Sequence, residues 1–367
     1  MRYLLSILAL FAALAIGTQV RADEVPGVTE DRVVIGTITA LTGPIAFIGQ
    51  QFSAGARLYL RHINEEGGVH GRQIDLRIED DGYQPPRTVA AFRKLLDRDG
   101  VFCFAGNLGS ATTMATLPLI ERERVPLVMP GNFNSRMTMP TRRYVFALDP
   151  NYSIQAWIMA QYIAEAGKDE TPRLAVVYQD DDMGQDGLKG LREAAAHYGL
   201  PIVAEESYKR GAIEFGTQTL NMRRAAPTHV VLLTILRSGA AIIKEAHQAG
   251  WKPQFIGWLP NAEGKTVELA GEAAEGFLGL GIVDVHSDTE PMKLYRELLA
   301  RYAPDDRPGL FHTYSFGIAQ TLVEGLRRAG RDLTREKLVE ALETLDRWDD
   351  SVLPPVTYGP NLRGGAS

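Results

Sequence analysis

The stretch from Val101 to Phe133 constrains the fold more than any other part of the chain. Val101 to Ala105 is a short apolar run that predicts a buried strand, ending at Gly106. Asn107-Leu108-Gly109 makes a turn, a helix starts at Ser110, and Val125 to Met129 is a second strand closed by Pro130-Gly131-Asn132. Strand, turn, helix and strand in this order call for a parallel pair. The carboxyl ends of such strands lie side by side, where open α/β sheets hold ligands. Ser110 is suited to cap the helix, whose free N–H groups favour an anion. An ordinary tight turn has the same signature, so the stretch alone does not make a site. Pro118 must kink this helix or make it restart.

The same grammar runs through most of the chain. Strands are expected at Val33–Gly36, Ile74–Ile78 and Tyr144–Leu148, with helices over Gly49–Glu66 and after Pro85-Pro86. Asp149-Pro150-Asn151-Tyr152 reads as a linker, after which the alternation starts again. Strands are expected at Leu174–Tyr178, Pro201–Ala204, His229–Thr234 and Gln254–Gly257, and helices at Ile154–Ala166, Gly184–Tyr198, Phe215–Ala225 and Ser238–Gly250. Two successive sets imply an α/β fold of two lobes, each a parallel sheet with helices on both faces. Past Gly276-Phe277-Leu278 the pattern changes to long amphipathic helices, and no repeat is visible at the residue level.

The N-terminus predicts export. Arg2, the apolar run Leu4–Ile16 and the small residues around Val20-Arg21-Ala22 make a secretory signal over residues 1–22, cleaved after Ala22. Removing its two arginines takes the net charge from −6 to −8. A mildly acidic chain without basic clusters argues against nucleic acid as a partner. Cys103, the single cysteine, lies in the apolar run and is expected to be buried and inert.

Enzyme signatures are missing: there is no HExxH, no GxSxG, no GxxxxGK and no CxxC. The seven histidines do not pair at metal-ligand spacing, so neither metal nor cofactor is expected. Gly276-x-x-Gly279-x-Gly281 lies in a strand-like run with no helix after it and reads as a crossover strand. Asp180-Asp181-Asp182 lacks the alternation of a calcium loop and reads as a solvated helix cap.

Several segments, in order, resemble one family. They include Leu41-Thr42-Gly43-Pro44, Ile63-Asn64-Glu65-Glu66-Gly67-Gly68, Asp80-Asp81-Gly82-Tyr83-Gln84-Pro85, Gly106 to Ser110, Gly250-Trp251-Lys252, Ala274-Glu275-Gly276 and His312-Thr313-Tyr314. The set resembles the periplasmic solute-binding proteins of branched-chain amino acid ABC transporters, the type I periplasmic binding fold. The resemblance implies two Rossmann-like lobes joined by three crossings, with ligand trapped as the hinge closes. Transferred here, the first lobe is 24–149 plus 282–352, and the second is 150–281 plus 353–367. The crossings would fall near Asp149-Pro150, Gly279–Val283 and Pro354–Tyr358. Set against the family, the chain looks some tens of residues short of the usual end, and the expectation is either a truncated sequence or a missing last strand.

In the family's amino-acid binders, a serine opening the central helix and the next loop hold the α-carboxylate. Ser110 and Gly131 to Phe133 match those places, with Ala111, Asn107, Asn132 and Tyr152 as further contacts. The departures shape the expected ligand. Phe133 replaces a threonine, Met183 and Ile235 replace two tyrosines, and Ile48, beside Phe47, replaces another aromatic. The acid that pairs with the ligand ammonium matches Leu259, next to Trp258, although a small slip would bring Glu263 near. Burying an unpaired ammonium costs several kcal/mol. The expectation is therefore a periplasmic, non-enzymatic binding protein for a small organic acid with an apolar or aromatic body, aided by Arg136 or Arg237. It would serve an inner-membrane ABC permease and work as a monomer. Branched-chain amino acid binding, or a sensory protein of the same fold, is the alternative.

Overall fold

The computed structural model describes residues 25–166, 172–306 and 308–366. The signal expected at 1–22 lies outside them. The first lobe opens with β1 (Arg32–Thr39), α1 (Ala46–Glu65), β2 (Gln73–Asp80) and α2 (Pro85–Arg93). β3 (Cys103–Ala105) follows, then α3 (Ser110–Met114), α4 (Leu117–Glu123), β4 (Leu127–Val128) and β5 (Val145–Phe146). The helix expected from Ser110 is thus two helices. The break falls before Pro118, which sits in the first turn of α4, where its missing N–H costs nothing.

The second lobe carries α5 (Tyr152–Ala166), β6 (Leu174–Gln179), α6 (Asp182–Tyr198), β7 (Ile202–Tyr208) and α7 (Gly216–Arg224). It continues with β8 (His229–Leu233), α8 (Leu236–Gln248), β9 (Gln254–Gly257), α9 (Gly264–Ala270) and β10 (Leu278–Gly279). The chain then supplies α10 (Glu290–Tyr302), α11 (Leu310–Ala329) and α12 (Arg335–Leu342), and ends in a hairpin of β11 (Val356–Gly359) and β12 (Leu362–Ala366). α11 packs along α1 of the first lobe.

Both large sheets have five strands, in the orders β2-β1-β3-β4-β5 and β7-β6-β8-β9-β10. Every pairing in them is parallel. The two orders follow the same pattern, so the lobes repeat in topology what they do not repeat in sequence. Each sheet is covered on both faces, which its inner strands require because they are largely apolar, whereas the edge strands β2 and β7 carry charged residues. In β6 and β8, Leu174, Val176, Val231 and Leu233 join the larger core, while Ala175, Val177, Val230 and Leu232 fill a separate core behind the sheet.

The C-terminal hairpin lies against the first lobe, whereas 353–367 was expected with the second. The N–H groups of Ala147 and Asp149 donate to the carbonyls of Arg363 and Gly364, at 2.8 and 2.5 Å. The buried Arg363 guanidinium fixes this position. It donates to the carbonyls of Arg142 and Arg143, each at 3.1 Å, and to Glu343 at 2.5 Å, all beside the first sheet.

Candidate functional site

In a sheet of this order the chain leaves the central strands in opposite directions, and a crevice opens at their carboxyl ends. In the first lobe the crevice lies between β1 and β3, and in the second between β6 and β8. The two crevices face each other. Ile45 and Ile48 follow β1, Leu108 to Ser110 follow β3, and Gly131 and Phe133 follow β4; Met183 follows β6 and Ile235 follows β8. With Tyr83, Tyr152, Pro260 and Phe311, these residues line one inner cavity of about 40 Å3. That volume admits a few waters, far below the ~300 Å3 of small-molecule sites, so a ligand enters only when lobes or side chains move apart.

The two turns singled out in the sequence lie side by side. The N–H of Gly109 donates to the Gly131 carbonyl at 3.1 Å, and the N–H of Gly131 donates to the Asn107 carbonyl at 2.8 Å. Ser110 does not cap the helix. Gly109 occupies the cap position with φ +104°, and Ser110 is the first helical residue. Its hydroxyl shares a hydrogen bond of 3.0 Å with the Tyr152 hydroxyl instead. α3 has five residues, so its dipole is small.

Aromatic packing fixes the walls. The Phe133 ring packs on Tyr152 and Tyr314, with centroids 5.9 and 5.6 Å apart, and Tyr152 packs on Trp258 at 4.7 Å. The Trp258 indole donates to the Thr234 carbonyl at 2.8 Å, which ties this stack to the end of β8. Burial raises the Tyr152 and Tyr83 hydroxyls well above the ordinary phenol range, so both stay protonated.

Seven of the thirteen expected site residues line the cavity: Ile48, Ser110, Gly131, Phe133, Tyr152, Met183 and Ile235. The others stand behind or beside it. Phe47 is half-buried, with the Lys265 ammonium 5.7 Å from its ring, and Ala111 is half-buried on α3. The Asn107 side chain accepts the N–H of Ile38 at 3.1 Å, and that of Asn132 accepts the N–H of Asn134 at 2.9 Å, so both brace the turns. Trp258 is wholly buried behind Tyr152. Leu259 is buried with its N–H on Gln155 at 3.2 Å, and its neighbour Pro260 reaches the cavity instead. Arg136 pairs with Asp182 at 3.2 Å, and Arg237 is exposed at another groove, so neither enters the cavity.

Sequence reasoning missed Tyr83 and Phe311. Each had a signal: Tyr83 lies in the Asp80–Pro85 motif, and Phe311 directly precedes His312-Thr313-Tyr314. Tyr83 reaches across the cleft. Its hydroxyl accepts from Gln179 at 3.3 Å, and the Arg210 guanidinium lies 4.8 Å from its ring centre. Asp181 holds Arg210 at 3.0 Å and caps α6 through the N–H groups of Met183 and Gly184. The acidic run therefore caps its helix as expected, but the half-buried Asp181 is held in this network rather than left to solvent.

Residues 32–365 match the model of the family described as periplasmic binding protein. The leucine-, isoleucine-, valine-, threonine- and alanine-binding protein of Pseudomonas aeruginosa is 25% identical over 333 residues, which are 91% of this chain and 87% of that one. Among solved structures, a fatty acid ABC transporter substrate-binding protein from Thermomonospora curvata superposes with a TM-score of 0.84 at 23% identity, covering 93% of this chain and 92% of that one. A branched-chain amino acid ABC transporter protein from Thermus thermophilus with bound valine gives 0.83 at 24%, covering 92% of each. Motif order, twin doubly wound sheets and an interlobe cavity lead to one conclusion: the chain belongs to the periplasmic binding protein family, in its branched-chain amino acid transporter type.

Proposed function

We propose that this chain is the solute-binding component of an ABC uptake transporter, exported to the periplasm by residues 1–22. It traps a small carboxylate-bearing solute with an apolar or aromatic body. The lobes hinge at the crossings near Asp149-Pro150 and Gly279–Val283. The observation that carries the ligand class is the cavity lining, which contains no Asp, Glu, Lys or Arg. An ammonium there would lack an anionic partner, whereas a carboxylate has the Ser110 hydroxyl and the first N–H groups of α3, which the helix itself does not use. Ile48, Phe133, Met183, Ile235 and Phe311 take the apolar body. The role is to bind and hand over, so no residue is given a catalytic part.

The resemblance to the Pseudomonas protein favours a second reading, in which an aliphatic amino acid is the ligand. A thermal-shift panel of aromatic acids, aliphatic acids and amino acids separates the two. A ligand at ~100 times its dissociation constant stabilises the protein by ~2.7 kcal/mol. The proposal expects an organic acid without an ammonium group to give the largest shift. Leucine or valine giving it would establish the second reading.

A further inference from the structure

Glu263 belongs to the second lobe, between a turn at Leu259–Asn261 and α9, yet its carboxyl group is seated on the first. One oxygen accepts the N–H of Phe311 at 3.4 Å. The other lies so close to Gly309 that a Cβ there would fall 1.4 Å from it. Gly309 is the cap position of α11, a helix of 20 residues with no side-chain cap of its own. A carboxyl group from across the cleft thus takes the place of the missing cap residue, its carbonyl oxygen able to accept the helix N–H in either protonation state. Phe311 links this contact to the ligand site, because its N–H meets Glu263 while its side chain lines the inner cavity.

We propose that Glu263 is a proton-coupled latch: closure of the lobes seats its carboxyl group on the N-terminus of α11 and takes up a proton. The inference needs only the two-lobe hinge and no particular ligand.

Glu263 is 2% exposed and makes no salt bridge among the described residues. The flanking cations are engaged elsewhere: Lys265 on α9 pairs with Glu268, and Arg296 on α10 pairs with Asp288 at 3.3 Å. On α1, Gln51 accepts the N–H of Gly309 at 3.1 Å. On α11, His312 meets the Tyr295 hydroxyl of α10 at 2.9 Å. Burial holds that histidine down to about 4, so it stays neutral near pH 7, and the Tyr295 phenol is pushed up to about 12. Asp306 precedes α11 and adds negative potential at Tyr295. Burial raises the Glu263 carboxyl from 4.5 to about 7, and the N–H groups of Phe311 and Leu310 offset only part of that rise. The carboxyl borders a groove of about 570 Å3 between the lobes, which gives protons a path to it.

The sign follows from the raised value. With Glu263 in water at 4.5 when open and at about 7 when closed, the closed form has its full advantage below 4.5 and loses it as pH rises through about 7. The ratio of closed to open protein should fall roughly tenfold between about pH 6 and about pH 8.

Small-angle X-ray scattering of the purified protein without ligand at these two pH values reads that ratio directly. The wild type should expand at the higher pH. Glu263→Gln, neutral and nearly isosteric, should scatter identically at both, as should Glu263→Leu, with circular dichroism confirming that each variant is folded. Wild-type scattering that does not change with pH would overturn the latch. So would a folded neutral variant that expands as much as the wild type. A failed ligand panel would leave both results standing, since no ligand is used.

Discussion

Gly187→Ala should disturb the ligand site without touching it. Gly187 lies inside α6, and a Cβ there would fall 2.3 Å from the six-membered ring of Trp258. That ring cannot swing away cheaply. It is wholly buried, anchored to the Thr234 carbonyl at 2.8 Å and packed on Tyr152, which in turn holds Ser110. Alanine gains ~1 kcal/mol over glycine in a helix interior. Overpacking costs ~1–3 kcal/mol, and losing the indole hydrogen bond in a buried place costs a further ~1–3 kcal/mol. The net expectation is a loss of about 1–5 kcal/mol, read by urea denaturation, together with a changed near-ultraviolet dichroism from Trp258. Gly216→Ala is the control. It opens α7 with nothing within 4 Å of the added carbon, and should leave stability unchanged or slightly higher. If Gly187→Ala resists urea as well as the wild type does, Trp258 is not the fixed wall described above.

Two further outcomes test the frame around the site. Arg363→Ala removes a guanidinium that is 2% exposed, serves the Arg142, Arg143 and Gly359 carbonyls and Glu343, and lies 4.4 Å from the Phe146 ring centre. Stranding half-buried Glu343 and these carbonyls should cost about 3 kcal/mol in urea, and the hairpin should become sensitive to protease. Cys103 is wholly buried and its thiol is pushed up to about 12, so a thiol reagent near pH 8 should label it only on unfolding, at a rate set by urea.

The parallel sheets were legible because apolar strands alternating with amphipathic helices admit few other folds, and the Ser110 and Gly131 turns met as their strand order required. The missed features were tertiary. Ser110 has the side chain of a cap residue, but Gly109 with φ +104° takes that position, a backbone choice set by the fit against Tyr83 and Thr112. The path of the C-terminal hairpin depends on where one buried arginine finds carbonyl acceptors, which no local pattern reports. Tyr83 with Arg210, and Glu263 with Gly309, join residues far apart in the chain that meet only when the lobes do. Leu259, which stands in the place of an acid, is buried, while its neighbour Pro260 meets the cavity. Either way, that segment brings no carboxylate to the lining.

The proposed ligand class rests on an inner cavity that can hold a carboxylate and whose lining has no acid to pair with an ammonium. Calorimetric titration with matched ligands tests it most directly: 3-phenylpropanoate against L-phenylalanine, and 4-methylpentanoate against L-leucine. Each pair shares a carbon skeleton and differs only in the ammonium group. An unpaired buried ammonium costing ~3 kcal/mol predicts that the acid lacking it binds ~100-fold more tightly in at least one pair. Tighter binding of the amino acid in both pairs would contradict the account and point to an anion that the closed cleft keeps out of its lining.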